Sequence, residues 1–157
     1  MPTILSKPSS GATSGEKSLY YRLRDYFEED PTVLVYTEPS IGGKRPDFLA
    51  LSPTLGILIV EVKDYSERNL RTMTQTGNWE LMNGEEIILV SNPFDQLYQY
   101  WRALKNRINH CQFPNHLKVP ILQVLAFGQV PRESERAARI REVQPRRVHC
   151  CFKEELT

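Results

Sequence analysis

Cysteine is scarce in this chain. Three occur among 157 residues, Cys111, Cys150 and Cys151, an odd number with two of them adjacent. That pattern gives no disulfide framework and fits a reducing compartment. No CxxC pair occurs, and His110, His116 and His149 fall at unrelated spacings, so no zinc-site pattern is present. Charge of one sign is equally short. Lys and Arg number 20 against 19 Asp and Glu, a formal net of +1. This excludes a histone-like polycation but leaves room for a local basic patch. No apolar run approaches the roughly 20 residues that cross a bilayer. The best, residues 55–62, is interrupted by Gly56. The opening MPTILSKPSSGATSGEK has no basic-then-apolar signal pattern, so a cytoplasmic location is expected and no membrane partner.

What is present is a globular profile, 40% hydrophobic and 25% charged. At this length one domain with a real core is expected. Residues 1–14 are rich in Ser, Thr, Pro and Gly and read as a flexible lead-in. A helix follows over 14–30, with Ser14 as N-cap, an apolar face of Leu19, Leu23, Tyr26 and Phe27, and Pro31 as its stop. Strands are predicted over 32–38, 46–52 and 56–63, the last two joined by a turn in which Pro53 fixes φ and Gly56 takes a positive one. Residues 64–77 are polar and read as irregular. Asn83-Gly84 marks a hairpin within 77–90. A second helix is predicted over 94–108, with Leu97, Trp101, Leu104 and Ile108 on one face, and a buried strand over 119–128. Residues 132–157 read as a polar helix followed by a half-buried strand, with Val148, Cys150 and Phe152 inward. The result is a mixed α/β domain, one central sheet flanked by helices.

The chemistry sits on the hairpin RPDFLALSPTLGILIVEVKD. A turn centred on Thr54 places Asp47 opposite Glu61, and Lys63, two residues on, points to the same face. Two carboxylates and an amine then converge at one end of a buried hairpin. A one-residue slip destroys the arrangement. Opposed like charges need compensation, and a divalent cation provides it. Magnesium takes one or two carboxylates, keeps several waters and leaves room for a phosphate. The amine then orients water or neutralises charge developing on phosphorus.

Pro46-Asp47 followed by Glu61-Val62-Lys63 resembles the PD-(D/E)xK nuclease superfamily. The order helix, three strands, helix, strand is similar to its core. Gly15-Glu16, Pro46-Asp47, Glu61-Val62-Lys63 and Asn92-Pro93 with Gln96 together resemble the nuclease-related domain (NERD) family. Gln96-x-x-x-Tyr100 is similar to the glutamine–tyrosine motif of RecB-like nucleases. The resemblance implies a restriction-endonuclease-like core of order αβββαβ over residues 15–131. Residues 132–157 are left as a C-terminal extension, a candidate start of a further domain in a longer protein. It implies a Mg2+- or Mn2+-dependent nuclease acting on DNA, nucleoid-associated if bacterial. The alternative is a nucleic-acid-binding accessory module with weak or no cleavage, attached to or partnered by a helicase. Asp47, Glu61 and the backbone carbonyl of Val62 would hold metal, Lys63 would be the catalytic amine, and Glu16 would reach the metal through water. Gln96 and Tyr100 would contact substrate or brace the acids.

Other basic residues fit a supporting role. Lys44, Arg45 and Arg102 are placed to guide a phosphate backbone. The tail arginines (Arg136, Arg139, Arg141, Arg146 and Arg147) alternate with Glu and read as a solvated helix. Trp79 and Trp101 read as packing residues, with base stacking as the alternative for Trp79.

Overall fold

The computed structural model describes residues 3–4, 7–111 and 118–156; His116 lies outside them. In chain order the elements are β1 (Thr3–Ile4), α1 (Ser14–Tyr26), β2 (Leu34–Thr37), β3 (Phe48–Ser52), β4 (Gly56–Ser66) and β5 (Leu70–Thr72). They continue with β6 (Trp79–Asn83), β7 (Glu86–Val90), α2 (Pro93–Asn109), β8 (Ile121–Gln129), α3 (Glu135–Val143) and β9 (Val148–Phe152). Six strands form one mixed sheet in the order β1-β2-β3-β4-β8-β9, and β5, β6 and β7 form a small second sheet. The mixed α/β architecture is the expected one and is consistent with a restriction-endonuclease-like core.

The hairpin register follows the sequence reading. Phe48 faces Val60, Leu49 faces Ile59 and Ser52 faces Gly56. Gly56 takes φ +92°, and a Cβ there would meet the Pro120 carbonyl at 2.4 Å, so only glycine fits the turn. β4 then pairs in parallel with β8, from Ile57 opposite Ile121 to Lys63 opposite Phe127. Alternation divides its side chains between two cores. Val60 and Val62 pack with Leu19 and Leu23 of α1 and with Phe27 at its C-terminal cap. Ile59 packs with Leu97 and Leu104 of α2, beside Leu125 and Phe127 of β8.

Several boundaries differ from expectation. The cap of α1 is Thr13, not Ser14: its hydroxyl accepts from Glu16 N–H while the Glu16 carboxylate accepts from Thr13 N–H, a reciprocal capping box. The helix ends at Tyr26, well before Pro31, and Tyr26 is 76% exposed because the apolar face runs through Leu19, Leu23 and Phe27 alone. Residues 64–77 are not irregular throughout. β4 continues to Ser66, and Leu70 of β5 and Met73 are each 1% exposed. In the β6–β7 hairpin Asn83 faces Glu86, so the turn is Gly84-Glu85, with Gly84 at φ +66°. Trp79 is fully buried, stacked 6.1 Å from Phe127, with its indole N–H donating to the Thr74 carbonyl at 2.9 Å. That burial excludes base stacking for Trp79.

The first and last strands both lie in the central sheet. Thr3–Ile4 pairs in parallel with Leu34–Val35, and the Thr37 hydroxyl donates to the Lys7 carbonyl at 3.1 Å. β9 pairs in parallel with β8, and Ala137, Ile140 and Val143 of α3 share the core on the α2 side. Val148, Cys150 and Phe152 are buried as expected. The solvated-helix reading of the tail arginines stops at Val143, leaving Arg146 and Arg147 in the loop before β9.

Asn92 starts α2 and holds the neighbouring loop. Its side-chain carbonyl accepts from Phe94 N–H at 3.0 Å, and its amide N–H groups reach the carbonyls of Thr74, Gln75 and Gly77 at 3.0, 3.3 and 3.1 Å. The side chain is 2% exposed. Asn92→Ala removes a helix cap and three loop hydrogen bonds, leaving the Thr74 carbonyl to the Trp79 indole and the Gln75 carbonyl without its side-chain donor, so thermal unfolding is expected to show a loss of about 2–4 kcal/mol.

Candidate active site

The hairpin end, α1 and α2 meet at the C-terminal half of β4. Glu61 is 4% exposed. The Lys63 ammonium lies 3.0 Å from Glu61 Oε1 and donates to Gln96 Oε1 at 2.8 Å. The Gln96 amide donates in turn to the Tyr100 hydroxyl at 2.7 Å. One strand and one helix are thus joined through a chain of Glu61, Lys63, Gln96 and Tyr100. Gln96 and Tyr100 reach it together because i and i+4 share a helix face.

Asp47 sits one residue before β3, at the open end of the hairpin. Its Oδ2 accepts from Val62 N–H at 2.7 Å. Burial, with the Glu61 charge next, pushes the Asp47 carboxyl up to about 8. Burial also raises Glu61, against the pull of the Lys63 ammonium. Glu16 goes the other way. Burial opposes its ionisation, but the Thr13 N–H and the Asp47 carboxyl hold it below its usual range. The carboxyls of Glu16 and Asp47 therefore act as a coupled pair, one favouring the anion and the other the acid. Burial and the Glu61 charge also raise the Tyr100 phenol, to about 12, which keeps it neutral over the working pH range.

Beside Lys63 opens a polar cleft of about 520 Å3, lined by Tyr65, Asn78, Ser91, Asp95, Gln96 and Gln99 among others. Lys44 stands at its edge, with its ammonium 3.1 Å from Gln99 Oε1. Arg45 and Arg102 are exposed and do not line the cleft.

Asp64 is a positioning residue that the sequence reading missed. It follows Lys63 on the opposite face of β4, and its Oδ1 accepts from Gly15 N–H at 3.2 Å. A Cβ on Gly15 would meet that oxygen at 2.5 Å and Val62 Cγ1 at 2.9 Å. Glycine before Glu16 thus lets the start of α1 close on β4, which delivers Glu16 to Asp47. The signal in the sequence was the pair Gly15-Glu16 itself; its contact lies 49 residues away.

Among the described residues no group of three or more His, Cys, Asp or Glu is arranged to hold a metal ion. A hard cation with several waters needs fewer protein ligands than that. The donor set fits one on a separate observation. Glu61 Oε2 is buried with no hydrogen-bond partner in reach among the described residues, beside an Asp47 carboxyl whose proton a cation would displace.

No helix among the described residues is long and apolar enough to cross a membrane. No curated protein and no solved structure gave a significant match. One family model does match, and it begins just before α1 and ends within β8, the elements that enclose Glu16, Asp47, Glu61, Lys63 and Gln96. Residues 12–128 fit the nuclease-related domain (NERD), and the chain belongs to that family.

Proposed function

We propose that this nuclease-related domain is a metal-dependent nuclease that hydrolyses phosphodiester bonds of DNA. The observation that carries the reading is the Lys63 ammonium, fixed between Glu61 and Gln96 where a polar cleft meets the carboxyls of buried Glu61 and half-buried Asp47. Asp47 and Glu61 would hold Mg2+ or Mn2+, with the Val62 carbonyl as a further donor and Glu16 acting through water. The bound ion supplies Lewis-acid polarisation of the phosphate and an activated water. Lys63 places a point charge at a phosphate oxygen or orients the attacking water. Gln96 holds the ammonium in position, and Tyr100 holds Gln96. Lys44 supports the phosphate backbone at the cleft edge, with Arg45 and Arg102 as outer contacts.

Incubation with closed circular and end-labelled linear DNA, with Mn2+ and with EDTA, tests this. Cutting of either substrate that needs the ion is the expected result. Bound but intact DNA at millimolar Mn2+ would overturn the enzyme reading.

A second reading is favoured by one observation: Glu61 is already paired with Lys63, and among the described residues no group of three or more His, Cys, Asp or Glu is arranged to hold a metal ion. On that reading the domain binds nucleic acid for an attached or separate helicase and cuts weakly or not at all. Calorimetry separates the two. Mn2+ binding that Asp47→Ala abolishes supports the enzyme, and no binding supports the accessory module.

A further inference from the structure

A second hollow, of about 360 Å3, lies against the outer side of α2 and the loop before β9. Its volume falls within the range of about 300–1,000 Å3 usual for small-ligand sites. Gln123 of β8 lines it. That side chain is 5% exposed, and its amide has no hydrogen-bond partner among the described residues. An amide that lines a hollow and has no partner among the described residues can meet a polar ligand edge. Tyr98 and Trp101 stand at the same hollow as a stacked pair, ring centroids 5.7 Å apart and planes 15° from parallel. Tyr98 is 51% exposed. The exposed guanidinium groups of Arg146 and Arg147 rim the opening. Asp95 lines both this hollow and the cleft at Lys63, so the two adjoin on the first turn of α2.

We propose that this hollow takes one unstacked base of the nucleic-acid strand whose backbone lies in the Lys63 cleft. The aromatic pair offers a flat apolar surface to the base face. Gln123 and Asp95 offer acceptors and donors to its edge, the arrangement that favours a base with an exocyclic amino group. Arg146 and Arg147 meet the flanking phosphates. The occupant is a base rather than an apolar side chain because the hollow combines an amide free to hydrogen-bond with cationic groups at its rim. This inference rests on the reading that nucleic acid occupies the cleft, but it requires no cleavage.

The test is equilibrium binding without divalent ions. The probes are deoxynucleoside 5′-monophosphates, base-free deoxyribose 5-phosphate, and ten-nucleotide single strands carrying one abasic position moved along the sequence. Trp79 is fully buried, so quenching of indole emission by a nucleotide reports Trp101. Nucleotides are expected to quench and the base-free sugar phosphate is not. One abasic position should weaken the strand by about 5–150-fold, and Trp101→Ala should weaken the intact strand comparably. Gln123→Leu should cost about 5–100-fold. Tyr98→Ala, at an exposed position, keeps the test open should a buried variant fail to fold. Equal binding of sugar phosphate and nucleotide would overturn the proposal. So would wild-type affinity in Gln123→Leu and Tyr98→Ala, or nucleotide binding with no abasic position that matters, which would mark a free-nucleotide site. Cleavage is scored separately on the same proteins. Gln123-dependent base binding in a protein that cuts nothing would remove the nuclease reading and leave this site standing.

Discussion

Alanine at Lys63 is expected to lower DNA cleavage by at least about 10²–10³-fold, the usual effect of removing one electrostatic stabiliser of a transition state. The ammonium is the only cation within salt-bridge distance of Glu61 among the described residues, and its side chain is 17% exposed. Its removal takes positive charge from the place where the phosphate would gain negative charge. The fold should survive. The β4 backbone keeps its parallel pairing with β8, and Glu61, already raised by burial, can take up a proton once its partner is gone. Lys63→Arg makes a useful companion, since a planar fork cannot reproduce a point charge held between Oε1 of Glu61 and Oε1 of Gln96. Single-turnover cleavage with enzyme in excess reads the chemical step. A Lys63→Ala rate equal to wild type, with an unchanged circular dichroism spectrum, would sink the mechanism.

The second large effect concerns pH and divalent ions together. Asp47 ordinarily titrates near 3.8 and is raised to about 8 in the fold. The folded state thus binds a proton that the unfolded chain has released. Its contribution to stability is complete below about 3.8 and is lost as pH rises through about 8. In EDTA the unfolding midpoint is therefore expected to fall between pH 5 and pH 9, by about 2–4 °C for each kcal/mol lost at this chain length. Millimolar Mg2+ should restore it, and more strongly at pH 9 than at pH 5, because the ion competes with the proton. Asp47→Asn keeps an acceptor for Val62 N–H but cannot titrate. It should flatten the pH profile and abolish the Mg2+ effect. Thermal melts across pH check both. A wild-type pH slope in Asp47→Asn would show that another group carries the titration.

The register of the central hairpin was legible because two strong local signals agree: apolar runs of the right length and a turn in which Gly56 alone fits. From that register the approach of Asp47, Glu61 and Lys63 followed. The start of α2 was legible for the same reason, since Asn92-Pro93 is a cap followed by a residue that lacks an N–H. The misses share another cause. Thr13 outcompetes Ser14 as a cap because its hydroxyl and Glu16 can satisfy each other, a geometric preference that composition does not display. The extension of β4 through polar residues depends on β8 as a partner from far along the chain. Asp64 acts through Gly15, and Gln123 gains its meaning from Trp101 and from a loop after α3. Sequence neighbours describe local conformation well; contacts between distant segments need the folded chain.

Gly56 and the Pro120 carbonyl touch at the far end of the sheet from the chemistry. That contact sets the phase of β4, and the phase decides which helix each later side chain meets. Shortening the strand by one residue beyond Gly56 would exchange its two faces, aiming the basic group at α1 and the acid that follows it at α2. Drift in the length of this segment is therefore far less tolerable than drift in its composition.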